Sequence, residues 1–135
     1  MVNFPQLLAG PIINLWTKRY QFTNLFLDRS LLHKGLDIAM KLVGEGNGYV
    51  EERAPWAQAK DPAQAADLDE TLATLARLLA VTATLLYPFM PKKMEELAGR
   101  LGLEGISPMG DCLKVPLAGL KVHRGDPLFP RADLA

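Results

Sequence analysis

The apolar residues between positions 61 and 86 have the spacing of an amphipathic helix. Asp61, Pro62 and Gln64 are residue types that cap and open a helix, so we predict that the helix begins there. Its predicted inner stripe, at steps of three and four residues, is Leu68, Leu72, Leu75, Leu79, Thr82 and Leu86. The stripe is widened by Leu78, Val81 and Leu85. The positions predicted to face elsewhere are Asp67, Asp69, Glu70 and Arg77.

Prolines set the ends of the next elements. Pro88 is expected to end or kink the long helix near Tyr87, because proline lacks an amide donor and clashes with the preceding turn. A further helix is predicted from about Pro91 to Gly102, since glycine suits the left-handed residue that follows a helix. Its predicted inward residues are Met94, Leu97 and Leu101.

Roughly helical spacing also runs upstream, through Leu32, Leu36, Ala39, Leu42 or Val43, and Val50. Three glycines interrupt this pattern, each at a cost of about 1 kcal/mol relative to alanine. We still predict a helix there. The fold class that follows is all-α, a helix bundle.

The two ends of the chain differ from the central helices. Residues 103–135 are rich in proline and glycine, which predicts an irregular tail with a short strand near 112–115 or 120–123. Residues 1–30 have poor periodicity and stay unassigned. We therefore divide the chain into residues 1–30, a helical domain over 31–102 and a tail over 103–135.

Composition excludes several classes of function. The 135 residues carry 15 basic and 15 acidic side chains, so the chain lacks the strongly basic face of a protein that grips a nucleic-acid backbone. Neither a nucleotide-binding loop nor a catalytic triad motif occurs, and Cys112 with His33 and His123 has no zinc-ligand spacing. We expect no metal, no catalytic residue, no membrane span and a cytoplasmic location.

Trp56 is the residue that raises a functional question. It follows Pro55 at a break between two predicted helices, and small alanines flank the ring. Composition alone favours core packing, because tryptophan is largely buried on average. A platform with one open face for a ligand is the alternative, and the residues by themselves leave both open.

The stretch "NGYVEERAPWAQAKDP" resembles a segment of methionyl-tRNA synthetases that reads roughly N-x-Y-[IV]-[DE]-x-x-x-P-W-x-x-A-K. The matching positions are Asn47, Tyr49, Val50, Glu51, Pro55, Trp56, Ala59 and Lys60. Two later blocks, "LLYPFMPKKMEELAGRLGL" and "GLKVHRGDPLFPR", resemble the same family in the same order. The resemblance spans about residues 35–131 and implies the C-terminal α-helical anticodon-binding domain of these class I synthetases.

This resemblance implies a role for Trp56, braced by Pro55, as an aromatic platform for the anticodon loop, whose first base in the methionine tRNA is C. Unstacked anticodon bases can lie on an aromatic face and be read along their edges. Asn47 is a weaker candidate contact, and Tyr49 is either a support for the site or part of the bundle packing.

The departures from the family limit what this chain can do. The ATP-binding signatures, of H-x-G-H and K-M-S-K-S type, are absent. The Asn and Arg that the family carries one turn apart are not reproduced either, whether by Asn14 with Lys18 and Arg19 or by Asn24 with Arg29. Asn14, Lys18 and Arg19 are thus weak candidates for contact with the anticodon.

Our leading hypothesis is an anticodon-binding portion of a methionine–tRNA ligase that binds its tRNA without catalysing. ATP and methionine would bind a separate catalytic domain or subunit, and this chain itself would hold no cofactor. The alternative is a non-catalytic helical module for protein interaction, because the tail segment "DPLFPR" would expose Leu128 and Phe129.

Overall fold

The protein is described by a computed structural model, which covers residues 29, 31–108 and 111–132. Its helices are α1 (Leu32–Arg53), α2 (Pro55–Gln58), a 3-10 helix (Pro62–Gln64), α3 (Ala65–Leu86) and α4 (Pro91–Arg100). The predicted all-α class is confirmed. Within the described ranges there is no strand, so the prediction of a strand at 112–115 or 120–123 is wrong.

Helix α3 is the centre of the bundle and contacts α1, α2 and α4. Its buried face includes Thr71, Thr74, Leu78, Val81 and Leu85. The burial of Leu78, Val81 and Leu85, which widen the predicted stripe, is confirmed, as is that of Thr82 and Leu86. In the N-terminal half, Thr71 and Thr74 are buried one position before Leu72 and Leu75, which corresponds to a rotation of about 100° around the helix axis there.

Two members of the predicted stripe are therefore wrong. Leu72 and Leu79 are 51% and 38% exposed. Arg77, predicted to face away from the core, is buried at 8% exposure. Leu32 of α1 is exposed as well, whereas Ala39 and Leu42 of the same predicted series are buried.

Close contact between α1 and α3 explains the rotation. Gly46 of α1 is buried, and a Cβ atom placed there would lie 2.2 Å from Cδ2 of Leu78. Leu78 thus occupies the space that the missing side chain leaves. Thr71 can join the same buried face because its Oγ1 donates to the Asp67 carbonyl at 2.8 Å, which satisfies the hydroxyl.

The last two turns of α3 are buried all around, since residues 80–86 are all buried. Helix α4 packs there through Met94 and Ala98, and Leu101 is buried just after its end. The buried residues of the core cluster are Ala39, Leu42, Leu78, Val81, Ala83, Leu85, Leu86, Met94 and Cys112. The core therefore lies toward the α4 end of α3.

The predicted helix ends agree with the structure. Asp61 caps the 3-10 helix, accepting from the Ala63 amide at 3.0 Å, and α3 continues directly from it. The Gln64 side chain reaches back to the Asp61 carboxylate at 3.0 Å rather than to its backbone amide. Helix α3 ends at Leu86, and Gly102 has the predicted left-handed conformation, with φ of 83°.

The irregular tail folds back over α4. The His123 amide donates to the Arg100 carbonyl at 2.7 Å, and the Arg100 guanidinium donates to the Asp126 carbonyl. Gly102 accommodates this return, since a Cβ atom there would lie 2.7 Å from the Lys121 carbonyl oxygen. Leu128 packs against the core cluster, while Phe129 is exposed, so only one of the two residues predicted to be exposed is so.

Candidate functional site

The site predicted around Trp56 is a sharp corner between α1 and α2, which we call the Pro-Trp corner and define as residues 53–58. Ala54 turns the chain with φ of 42° and ψ of 62°. It is the single non-glycine residue with positive φ in the described part of the chain. This conformation is costly for alanine, and the following proline restricts it further. Such local strain is typical of functional sites.

Trp56 is the second residue of α2 and is 57% exposed. More than half of the residue's surface is therefore accessible, and the expectation of core packing from composition is wrong. Pro55 occupies the first position of α2, where its missing amide costs no hydrogen bond and its ring fixes φ. The corner presents a large aromatic surface to the outside of the bundle.

Arg53, a residue that the sequence reading did not single out, ties the corner to α3. Its Nε atom donates to Thr71 Oγ1 at 3.0 Å, and its Nη2 atom donates to the Asp67 carbonyl at 3.4 Å. Because Arg53 is in the last turn of α1, its charge also favours the helix C-terminus. In the sequence, Arg53 is marked only by its position shortly before the break between the helices. That position does not reveal its hydrogen-bond partners.

Gln58 is the one buried residue of the Pro-Trp corner. It is buried at 7% exposure, although it sits in a four-residue helix at the surface of the bundle. Its Oε1 atom is buried without a hydrogen-bond partner in the described structure. Helix α2 packs against α3, and a buried acceptor without a donor destabilises the fold.

The structure places the other candidates separately. Asn47 is exposed on α1, seven residues before Ala54, which is two helical turns and about 10 Å along the axis. Tyr49 is buried, which favours bundle packing for this residue. Asn14, Lys18 and Arg19 lie outside the described residues, as does Asn24 of the second candidate pair.

Charges near the Pro-Trp corner are mixed in sign. Glu51, Glu52 and Lys60 are exposed. The bonds from the Ala63 amide and then the Gln64 side chain lower the pKa of Asp61, so this carboxylate is charged at neutral pH. The corner therefore offers an aromatic surface without a strong positive field around it.

Metal-holding clusters and membrane-spanning helices are both missing from the part of the chain that the structure describes. No group of His, Cys, Asp and Glu there is arranged to hold a metal ion. His33 and His123 are both exposed and far apart in the chain. None of the described helices combines the length and hydrophobicity that crossing a bilayer requires.

An apolar groove lies on another face of the bundle, between α1, α3, α4 and the tail. It encloses about 1030 Å³, and the lining residues from these elements include Met40, Leu79, Met94, Leu128 and Phe129. Met40 and Phe129 are exposed at its edge. Lys93 of α4 lies over the Phe129 ring, with its Nζ atom 5.9 Å from the ring centre.

The chain is similar in sequence to several methionine–tRNA ligases. It is similar to Methionine–tRNA ligase of Bacillus subtilis strain 168, with 35% identity over 106 residues, covering 73% of this chain and 15% of that protein. The Caldanaerobacter subterraneus ligase is 32% identical over 125 residues, which cover 91% of this chain and 20% of that protein. The Listeria monocytogenes ligase is 31% identical over 141 residues, which cover 98% of this chain and 20% of that protein.

These relatives are several times longer than the chain, which spans about a fifth of their length or less. No solved structure matches the chain significantly. A family description, "Anticodon binding domain of methionyl tRNA ligase", matches residues 14–131. The three ordered blocks that carried the resemblance all lie within that range. The chain therefore belongs to the anticodon-binding domain family of methionyl-tRNA ligase.

Proposed function

We propose that this chain binds the anticodon loop of the methionine tRNA and that Trp56 is the surface on which an anticodon base stacks. The observation that carries the proposal is the 57% exposure of Trp56 at the Pro-Trp corner. An exposed indole leaves a flat aromatic face accessible to a ligand, and a nucleobase offers an aromatic face of matching chemistry. Membership of an anticodon-binding family supports this choice of ligand.

The geometry supports stacking more than recognition of the phosphate backbone. The chain has a formal charge of zero, and the residues around Trp56 carry both signs. Backbone binding draws its affinity from released counterions, which requires many basic contacts. We therefore expect weak binding to unrelated RNA and a shallow dependence of affinity on salt.

Residues that read base edges would lie around this platform. We assign Asn47 to such a contact, because its amide is exposed on α1 and can both donate and accept. Asn14, Lys18 and Arg19 are proposed as further contacts from their sequence alone. Pro55 acts by fixing the backbone that carries the ring.

The proposed activity of the chain is binding and not catalysis. ATP and methionine would be bound by another part of a longer ligase or by a separate subunit, which would then act on the tRNA held here. Support for this division comes from the missing ATP-binding signatures and from the length of the relatives.

The test is a titration of the full chain with a methionine anticodon stem–loop RNA. Base stacking contributes about 1–3 kcal/mol per base, so Trp56→Ala is expected to weaken binding by about 5- to 150-fold. Trp56→Phe, which keeps an aromatic face, should retain most of the affinity. Replacing the first anticodon base of the RNA measures how far the protein discriminates among loops.

Phe129→Ala is the matched control, because Phe129 is an aromatic residue with almost the same exposure, 58%, at the apolar groove. It should leave the affinity unchanged. Equal affinities of wild type and Trp56→Ala would exclude Trp56 from binding. Equal losses in Trp56→Ala and Phe129→Ala would point to a general effect of removing surface aromatic residues.

A further inference from the structure

The exposed ring of Trp56 has little burial to hold it, so its direction depends on the backbone of α2. This helix has only four residues, and isolated helices of that length are not stable in water. Its orientation must therefore come from its attachments to the rest of the bundle. One attachment is the packing of Gln58, and the other is the end of α1.

Arg53 fixes the end of α1 immediately before the chain turns. Its guanidinium donates from two different nitrogen atoms to two acceptors on α3, Thr71 Oγ1 and the Asp67 carbonyl. Thr71 Oγ1 in turn donates to the same Asp67 carbonyl. These three bonds form a closed arrangement that restrains both the position and the rotation of the helix end.

We propose that Arg53 and Thr71 are positioning residues that hold the Pro-Trp corner so that the Trp56 ring is already oriented for the anticodon base. The inference rests on the function proposed above. A preorganised platform loses less conformational freedom on binding, which raises affinity without any added contact to the RNA. Arg53 and Thr71 thus act on binding through Trp56.

Direct contact of Arg53 with an RNA phosphate is the competing role for this side chain. Two observations favour positioning. The Nε and Nη2 atoms of Arg53 are already engaged with α3. Thr71, which shares this arrangement, is completely buried and cannot touch an RNA.

Thr71→Val is the decisive variant because it removes the hydroxyl, keeps the shape of the side chain and leaves the charge of Arg53 in place. We expect it to weaken binding of the methionine anticodon stem–loop by up to about five- to thirtyfold, the range of one or two lost hydrogen bonds. The same substitution in a Trp56→Ala background should have no further effect on affinity, since the ring that it orients is gone.

Arg53→Lys is a second variant that tests the same inference if Thr71→Val does not fold. Lysine keeps the charge but cannot reproduce the planar, two-atom contact. It should also weaken binding only when Trp56 is present. The slope of log affinity against log salt should stay unchanged for both variants.

Three results would overturn the inference. One is that Thr71→Val and Arg53→Lys both bind like wild type, and another is that both weaken binding equally with and without Trp56, as expected of a general loss of structure. A salt slope that falls by about 0.7 in Arg53→Ala but not in Thr71→Val would identify Arg53 as a phosphate ligand. If Trp56→Ala itself binds like wild type, the proposed function fails first, which is a distinct outcome.

Discussion

Replacing Gly46 by alanine is expected to disturb the contact that sets how α1 crosses α3. The added Cβ atom would lie 2.2 Å from Cδ2 and 3.4 Å from Cγ of Leu78. Real Cβ atoms do not approach other heavy atoms so closely, so Leu78 must change rotamer or the helices must separate. Leu78 belongs to the buried core cluster, which leaves it little room to move.

Two opposing contributions determine the size of the effect. Alanine in a helix interior is about 1 kcal/mol more favourable than glycine. Overfilling a packed core costs about 1–3 kcal/mol. Gly44 and Gly48 of the same helix are exposed and have no atom within 4 Å of an added Cβ, so alanine there should give the helical gain alone.

The assay is urea unfolding of the three single variants, followed by circular dichroism. The free energy of unfolding of Gly46→Ala should be about 1–3 kcal/mol lower than that of Gly44→Ala or Gly48→Ala. If Gly46→Ala is as stable as its two controls, the close approach of α1 and α3 is not present in solution. The explanation for the rotation of α3 would then fail with it.

Two further predictions concern buried polar groups. Gln58→Leu should raise the free energy of unfolding by about 1–3 kcal/mol, because it removes a buried oxygen that has no donor in the described structure. If the free energy measured by urea unfolding falls instead, the oxygen is hydrogen-bonded in the native protein. Burial raises the pKa of the Cys112 thiol to about 11, so the thiol is neutral at pH 8. It should therefore react with a disulfide reagent far more slowly in the native protein than in urea. Equal reaction rates in the two conditions would contradict its burial.

Helix ends were predictable because their chemistry is local. Asp61 supplies a cap acceptor, proline at Pro88 and Pro91 removes amide donors, and glycine at Gly102 permits a positive φ. Each of these effects involves residues within one or two turns of the sequence. The bounds of α3 and α4 follow from them to within a few residues.

The orientation of α3 was not predictable in the same way. A count of apolar residues selected Leu72 and Leu79 beside Leu78, whereas the bundle exposes Leu72 and Leu79 and buries Leu78 together with Thr71. The choice depends on the small residue that α1 presents at the crossing and on a carbonyl that satisfies the Thr71 hydroxyl. Neither is visible in the periodicity of α3 alone.

The sequence indicated where the candidate site lies, but it did not indicate how the surrounding residues hold the Trp56 ring. The motif around Trp56 identified the corner, whereas the exposure of the ring and the left-handed Ala54 depend on the path of the chain. Arg53 escaped notice because its acceptors are 14 and 18 residues away in sequence. Long-range hydrogen bonds of this kind leave no local pattern.

The most direct test of the account observes the Trp56 ring itself during binding. Its indole proton resonances, assigned by comparison with Trp56→Phe, are followed by NMR while the methionine anticodon stem–loop is added. The account predicts saturable upfield shifts of the Trp56 ring protons, as expected when an aromatic base stacks on them. Binding of the RNA with no change in those resonances would contradict it.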